Sequence, residues 1–324
     1  MKRRTLLQAS LGAAMVGALE LHAGELEWHE RQLVGLGASL SMRVAHRDPL
    51  RAQRALDAGV ATIRHIEAQM SLFDPSSALS RLNRDGVLHN PHPDLLKLLR
   101  IAQSVSSRSH GAFDVTVQPL WQVFESAQRS ATLPSDVAVR QARARVGWQA
   151  LDISAERIRF TKPGMSVTLN GIAQGYAADR VRQQFQASGI AQALINTGEW
   201  TALGQPNEQQ GWTLGIASPR DESMLMASLR MDGRSIATSA DNQTFFSRDL
   251  KNHHIFDPLT GYSPLDLAGV TVAAHSCTMA DALTKVMFVA GMQQALVLAQ
   301  HWQVDVLLVD KAGRWQATPG LKLV

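Results

Sequence analysis

Cysteine is almost missing from this sequence. Of 324 residues only Cys277 is a cysteine, so no internal disulfide can form and stability must come from a packed core. No segment repeats and no low-complexity tract occurs, which excludes a solenoid. No Gly-x-Ser-x-Gly elbow is present, so an α/β-hydrolase-type Ser-His-Asp site has no support. No pair of histidines has zinc-like spacing backed by a third ligand. Charge of either sign is weak: the formal net charge is +4. Half of it belongs to Lys2, Arg3 and Arg4 less Glu20, all within residues 1–24. The remainder has no basic field of the kind that binds nucleic acid. No cysteine stands at the end of the first apolar run, so a lipoprotein anchor is not expected there. No Pro/Ser-rich linker divides residues 25–324, so they are expected to form one domain.

What is present is an ordinary folded-protein composition, 45% hydrophobic and 19% charged, long enough to bury a substantial core. Residues 1–24 are expected to be a signal peptide: a basic start precedes LLQASLGAAMVGALEL, too short an apolar run to span a bilayer. Arg3-Arg4 before Thr5-Leu6-Leu7 is similar to a twin-arginine export signal; an ordinary secretory signal is the alternative. The expected location is the periplasm, with no stable membrane span after cleavage near Ala23-Gly24.

Downstream, helical spacing predicts helices over Pro49–Met70, Pro93–Ser109, Gly171–Ala187, Met279–Val289 and Met292–Trp302. Short alternating runs predict strands over 26–45, Leu151–Ser154, Ile158–Thr161, Ser166–Leu169, Ala191–Asn196, Trp212–Ala217, Met224–Met231, Ser235–Thr238, Val270–Ala274 and Val304–Val309. Gly111 to Val117 reads as a glycine-led turn into a short strand. Strands outnumber helices at hairpin spacing, so the fold class is α+β with largely antiparallel sheets.

The densest chemistry lies in HHIFDPLTGYSP, His253 to Pro264, followed by MADALTKVMF, Met279 to Phe288. Asp257-Pro258 and Thr260-Gly261 are turn formers that would hold His254 and Asp257 on a rigid loop. Asp281 is expected in the first turn of its helix, with Thr284 and Lys285 on the same face. This set can hold a metal or manage a phosphate; equally, it can be a cap and a turn. Asn170-Gly171-Ile172-Ala173-Gln174-Gly175 is a glycine-bearing junction where backbone N–H groups can approach a ligand, or a purely structural one. Thr238-Ser239-Ala240-Asp241 and Asn196-Thr197-Gly198-Glu199 are open to the same two readings.

Taken in order, SLFDPSSALSRLN from Ser71, GAFDVTVQPL from Gly111, NGIAQGYAADRV from Asn170, INTGEWTALG from Ile195, SIATSADN from Ser235, HHIFDPLTG from His253 and MADALTKVMF from Met279 resemble the FAD:protein FMN transferase (ApbE-like) family. The resemblance runs from about Leu36 to Gly291. It implies transfer of FMN from FAD to a Ser or Thr of an exported acceptor flavoprotein, with Mg²⁺ and release of AMP. It also implies site roles. Phe73, Gly111, Ala112 and Phe113 would line the flavin nucleotide, and His254 and Asp257 would be catalytic. Gly171, Asp281 and Thr284 would hold the metal, and Thr168 and Lys285 would border the nucleotide.

The sequence departs from the family at four positions. Thr168 stands where the family usually has Asp, Glu199 where it has Gly, Ala240 where it has Gly, and Lys285 where it has a metal-binding Thr. An ammonium there would pair with Asp281 across i and i+4 and repel Mg²⁺. Two alternatives therefore stand beside the transferase: a catalytically impaired flavin-binding or flavin-delivery protein, and a cofactor-free interaction protein on the same fold.

Overall fold

The computed structural model describes residues 26–206 and 211–324. The signal peptide expected over 1–24 and its cleavage site lie outside the described residues. In chain order the strands are β1 (Glu27–Gly35), β2 (Ala38–His46), β3 (Val87–His89), β4 (Leu151–Ile153), β5 (Arg157–Phe160), β6 (Gln192–Asn196), β7 (Trp200–Leu203), β8 (Thr213–Ser218), β9 (Asp221–Arg230), β10 (Ser235–Ala240), β11 (Leu267–Ala274), β12 (Asp305–Asp310) and β13 (Trp315–Ala317). The helices are α1 (Pro49–Met70), α2 (Ala78–Asp85), α3 (Pro93–Arg108), α4 (Gln118–Gln128), α5 (Asp136–Arg143), α6 (Ala173–Ala187) and α7 (Cys277–Trp302).

Eight strands form one sheet in the order β1-β2-β6-β7-β10-β11-β12-β13, and its described pairs are antiparallel. Both faces of its centre are covered. On one, α1 and α6 pack over β2 and β6 through Leu56, Ile63, Val181 and Phe185 against Met42, Val44 and Ile195. Beside them α7 packs with Val270, Val272 and Val306. On the other face the β8–β9 hairpin lays Trp212, Leu214 and Leu229 against Ile236, Ala273 and Leu307. This is why β11 is buried at every position and reads as a continuous apolar run. The α+β antiparallel reading is thus what the chain forms.

Local sequence explains the helix ends. Asp48 accepts from the N–H groups of Leu50 and Arg51 and Pro49 opens α1, a favoured start. The start of α7 is capped twice. Ser276 accepts from Met279 N–H, and Asp179 of α6 accepts from the N–H groups of Cys277 and Thr278 and from both neighbouring hydroxyls at 2.6–2.9 Å. By length and composition α7 is apolar enough to cross a bilayer; here it packs in the core. Gly291, at φ 74° and ψ 173°, breaks its helical geometry, where two separate helices were expected.

Three expectations are corrected. The stretch before Val117 forms no strand. Asp114 accepts from Thr116 N–H, starting a 3-10 turn over Val115–Val117 that feeds α4. Ser166–Leu169 joins no sheet. Val167 instead exchanges both backbone groups with the Asn83 amide, at 2.7 and 2.8 Å, and Thr168 N–H donates to Val115 C=O at 2.8 Å. Finally, α7 begins at Cys277, so Asp281 sits in its second turn, past the N–H groups a first-turn carboxylate would cap.

Candidate functional site

A cavity of about 220 Å³ opens where α6 and α7 meet β10. Ala112, Phe113 and Asp114 precede the 3-10 turn, and Trp121 comes from α4. Thr168, Asn170 and Gly171 precede α6, which adds Gln174. Glu199 comes from the β6–β7 turn and Thr238 and Ser239 from β10. Gln243, Thr244, His254, Phe256 and Pro258 come from the loop before β11, and Lys285 from α7. Among these lining residues Lys285 carries the only permanent positive charge.

The floor is an ion pair. Lys285 Nζ lies 2.5 Å from Asp281 Oδ1 and 3.2 Å from the Asp281 carbonyl oxygen. The Asp281 side chain is 1% exposed and that of Lys285 17%, so the ammonium is the end that reaches the cavity. The other carboxylate oxygen, Oδ2, accepts from Gly175 N–H at 3.0 Å. Asp281 thus ties α7 to the start of α6. Gly175 permits that approach: a Cβ there would stand 2.3 Å from the Cys277 carbonyl oxygen and 2.8 Å from Asp281 Cβ. Gly171 makes room for the lysine, since a Cβ there would lie 3.2 Å from Lys285 Cε. Thr284 faces inward. Its hydroxyl is bonded to Ser239 Oγ at 2.8 Å and donates to the Asp281 carbonyl at 2.7 Å.

Two carboxyl groups in the wall are shifted upward. Burial raises Glu199 well above the usual carboxylate range and the Asp281 charge adds to it, against Lys285 and the Thr238 N–H that donates to its Oε2 at 3.0 Å. Burial also raises Asp114, opposed by hydrogen bonds from Thr116 and Trp148. His254 moves the other way, to about 4, chiefly because protein walls its ring and secondarily because of the Lys285 charge; a hydrogen bond to Thr244 opposes this. That bond joins Nδ1 to the Thr244 carbonyl at 3.1 Å. It makes Nδ1 the donor and leaves Nε2 with a lone pair. The wall thus combines a fixed cation, an imidazole able to take a proton, and carboxyl groups held toward neutrality.

Of the residues the resemblance pointed to, Ala112, Phe113, Thr168, Gly171, His254 and Lys285 come together in this wall. Asp281 and Thr284 lie directly beneath, both fully buried. Gly111 and Asp257 do not line it. Gly111 borders a neighbouring depression with His110 and Leu259. The Asp257 carboxylate accepts from Leu259 N–H at 2.9 Å, and its backbone bonds Tyr262 and Gly261, so its role in this structure is to hold the turn. Phe73 stands 82% exposed, outside the cavity wall. Of the segment Thr238 to Asp241, Thr238 and Ser239 line the cavity, while Asp241 is buried between Arg220 and Lys311.

Sequence reasoning missed Trp121, Gln174, Gln243 and Thr244 as lining residues. Gln174 alone had a visible signal, its place in the glycine junction. It also missed a second cluster: ligand atoms of His65, His92 and Asp94 lie within 4.8 Å of one another. There Asp94 already accepts from Tyr176 OH at 2.6 Å and faces Arg180 at 3.2 Å.

The ApbE family model matches residues 36–308. A FAD:protein FMN transferase of Klebsiella pneumoniae is 32% identical over 67% of this chain and 69% of its own length. One from Treponema pallidum is 27% identical over 94% and 91%. Among solved structures, the ApbE protein of Thermotoga maritima superposes with a TM-score of 0.82 at 24% identity, covering 90% of this chain and 97% of that one. The flavin transferase ApbE of Vibrio cholerae does so with a TM-score of 0.78 at 23% identity, covering 92% and 98%. The fold, the ordered motifs and the family match agree, and the chain belongs to the ApbE family.

Proposed function

We propose that this chain is a FAD:protein FMN transferase that moves FMN from FAD to a Ser or Thr hydroxyl of an exported acceptor protein. The hydroxyl oxygen attacks the flavin-side phosphorus and the bond from that phosphorus to the AMP oxygen breaks. AMP leaves, and His254 Nε2 takes the hydroxyl proton. The observation that carries this reading is the shared wall of His254 and Lys285: a proton acceptor and a cation face one cavity in a chain of this family. Phe113 and Trp121 offer flat apolar surface for a ring. The raised carboxyl groups of Asp114 and Glu199 reduce repulsion of a diphosphate. The impaired-binder alternative gains nothing from these features, because both reactive groups remain. The basic start and apolar run of residues 1–24 support export to the periplasm, in keeping with an exported acceptor.

Mg²⁺ is the counter-charge the resemblance implies, and the residues present do not fit it. Both oxygens of Asp281 are engaged, one by the Lys285 ammonium. The Thr284 hydroxyl is turned to Ser239 and to the backbone.

The test is incubation of the purified protein with FAD and an exported-protein fraction, followed by in-gel flavin fluorescence and assay of AMP. Covalent flavin on a protein band with matching AMP is expected, and His254→Ala should slow its appearance about 100-fold, the scale of a lost general base. Absence of both products with the wild type would reject the reading.

A further inference from the structure

We propose that Lys285 is the resident cation of this site: its ammonium, held by Asp281, meets the diphosphate of FAD where a divalent ion would otherwise be needed. FAD binding and FMN transfer are then independent of added metal. This rests on the transferase reading above.

The argument begins with what the wall offers an anion. Lys285 is its only permanent cation, and Asp114 and Glu199 are its acidic members. A diphosphate entering without a cation would meet no compensating charge. The ammonium is not a loose surface group. Two acceptors of Asp281 fix it from below, at 2.5 and 3.2 Å, and its stem runs over the bare backbone of Gly171. A side chain fixed on two sides loses less freedom on meeting a ligand. Lysine serves phosphate as a compact point charge.

The same geometry works against a divalent ion. Asp281 is fully buried, its second oxygen caps Gly175, and the ammonium occupies the face from which an ion would approach. To bind there, a metal would have to expel Lys285 or sit beside it, and two cations in contact repel. Glu199 adds a carboxyl group near the pair. If the ammonium did swing out, Glu199 and Asp281 would be the anionic ligands left, so metal dependence is the outcome that discriminates.

The experiment is a FAD titration followed by flavin and tryptophan fluorescence, in EDTA and in excess MgCl₂, with FMN transfer measured in parallel. Three proteins are compared: wild type, Lys285→Thr, and the double variant Asp281→Asn with Lys285→Met. The double change removes both charges, so no buried carboxylate is left unpaired. Wild-type affinity should agree within about twofold between the two buffers, and the double variant should bind FAD about tenfold or more weaker in both. Lys285→Thr should gain a dependence on Mg²⁺ that the wild type lacks. Wild-type binding that weakens about tenfold or more in EDTA and recovers with Mg²⁺ overturns the proposal and leaves the transferase reading standing. Metal-independent binding that the variants retain also overturns it. Failure of the wild type to bind FAD in either buffer overturns both. The wild-type comparison decides even if a variant does not fold.

Discussion

In the proposed transfer His254 is the proton acceptor, and its titration gives a direct check. The free protein holds it at about 4. A base must be neutral to act, so kcat/KM, which reports free enzyme, should carry an acid limb near that value. A bound diphosphate puts negative charge beside the ring and raises its pKa, so the acid limb of kcat should lie at higher pH than that of kcat/KM. Both limbs should be absent in His254→Gln. A limb that persists in that variant would assign it to another group. The place of His254 in the cavity wall was legible in the sequence because a turn-rich loop with an imidazole is a recognisable site signal. Asp257, four residues before Gly261, gave the same signal, yet its hydrogen bonds lie within the turn and it does not line the cavity. Composition cannot tell these cases apart, because the difference lies in which way each side chain points. Glu199 was visible as a departure from the family pattern; its raised pKa was not, because that comes from burial beside Asp281.

At the level of elements, the pairing of Lys285 with Asp281 followed directly from helical spacing. The reading of Asn170–Gly175 was less complete. Its two glycines suit either a backbone approach to a ligand or a structural junction, and Gly171 lines the cavity. Gly175 instead lets α6 and α7 touch, a crossing no single element reveals. Gly175→Ala would drive a Cβ into backbone that cannot step aside, and should cost about 2–3 kcal/mol, the scale of overpacking a core. Gly211→Ala is the control, since its Cβ would meet nothing closer than 3.5 Å. Thermal denaturation followed by circular dichroism should show several degrees of loss for the first and little for the second. Equal midpoints would mean the helices can separate without penalty. The Val-Thr-Val run misread as a strand has a similar lesson. Its β-branched residues suit a strand, and the Asp114 hydrogen bond to Thr116 overrides that preference.

For the whole molecule, the α+β class and most of the core strands were readable because the sheet alternates or runs apolar according to how many faces are covered. The sheet order was not readable, since pairing depends on residues far apart in sequence. Acid stability is another global property with a local origin. His253 is fully buried. Its Nε2 donates to Pro264 C=O at 3.1 Å, and its Nδ1 accepts from Ile255 N–H at 3.4 Å. Both nitrogens suit the neutral ring, and burial holds its pKa near 4 against an ordinary 6.5. The unfolded chain therefore binds a proton first. Stability is full above about 6.5 and is lost as pH falls toward 4, by up to about 1.4 kcal/mol per unit for this group. Urea midpoints from pH 7 to pH 4 should show that decline. His253→Gln should flatten its slope by roughly half, with His254 supplying the rest over the same window. An unchanged slope would exclude His253 as the source.

The pairing of β2 with β6, Ser41 opposite Asn196, also has a consequence for how the chain matures. A growing polypeptide makes the β1–β2 ribbon early, yet the partner that sits beside Met42 and Val44 comes much later. Until it arrives, β2 is an unpaired edge with an apolar face covered only by α1, the kind of surface that captures other chains. Synthesis or folding interrupted before Asn196 should therefore yield aggregates, and fragments that run past β6 should be the first to stay in solution.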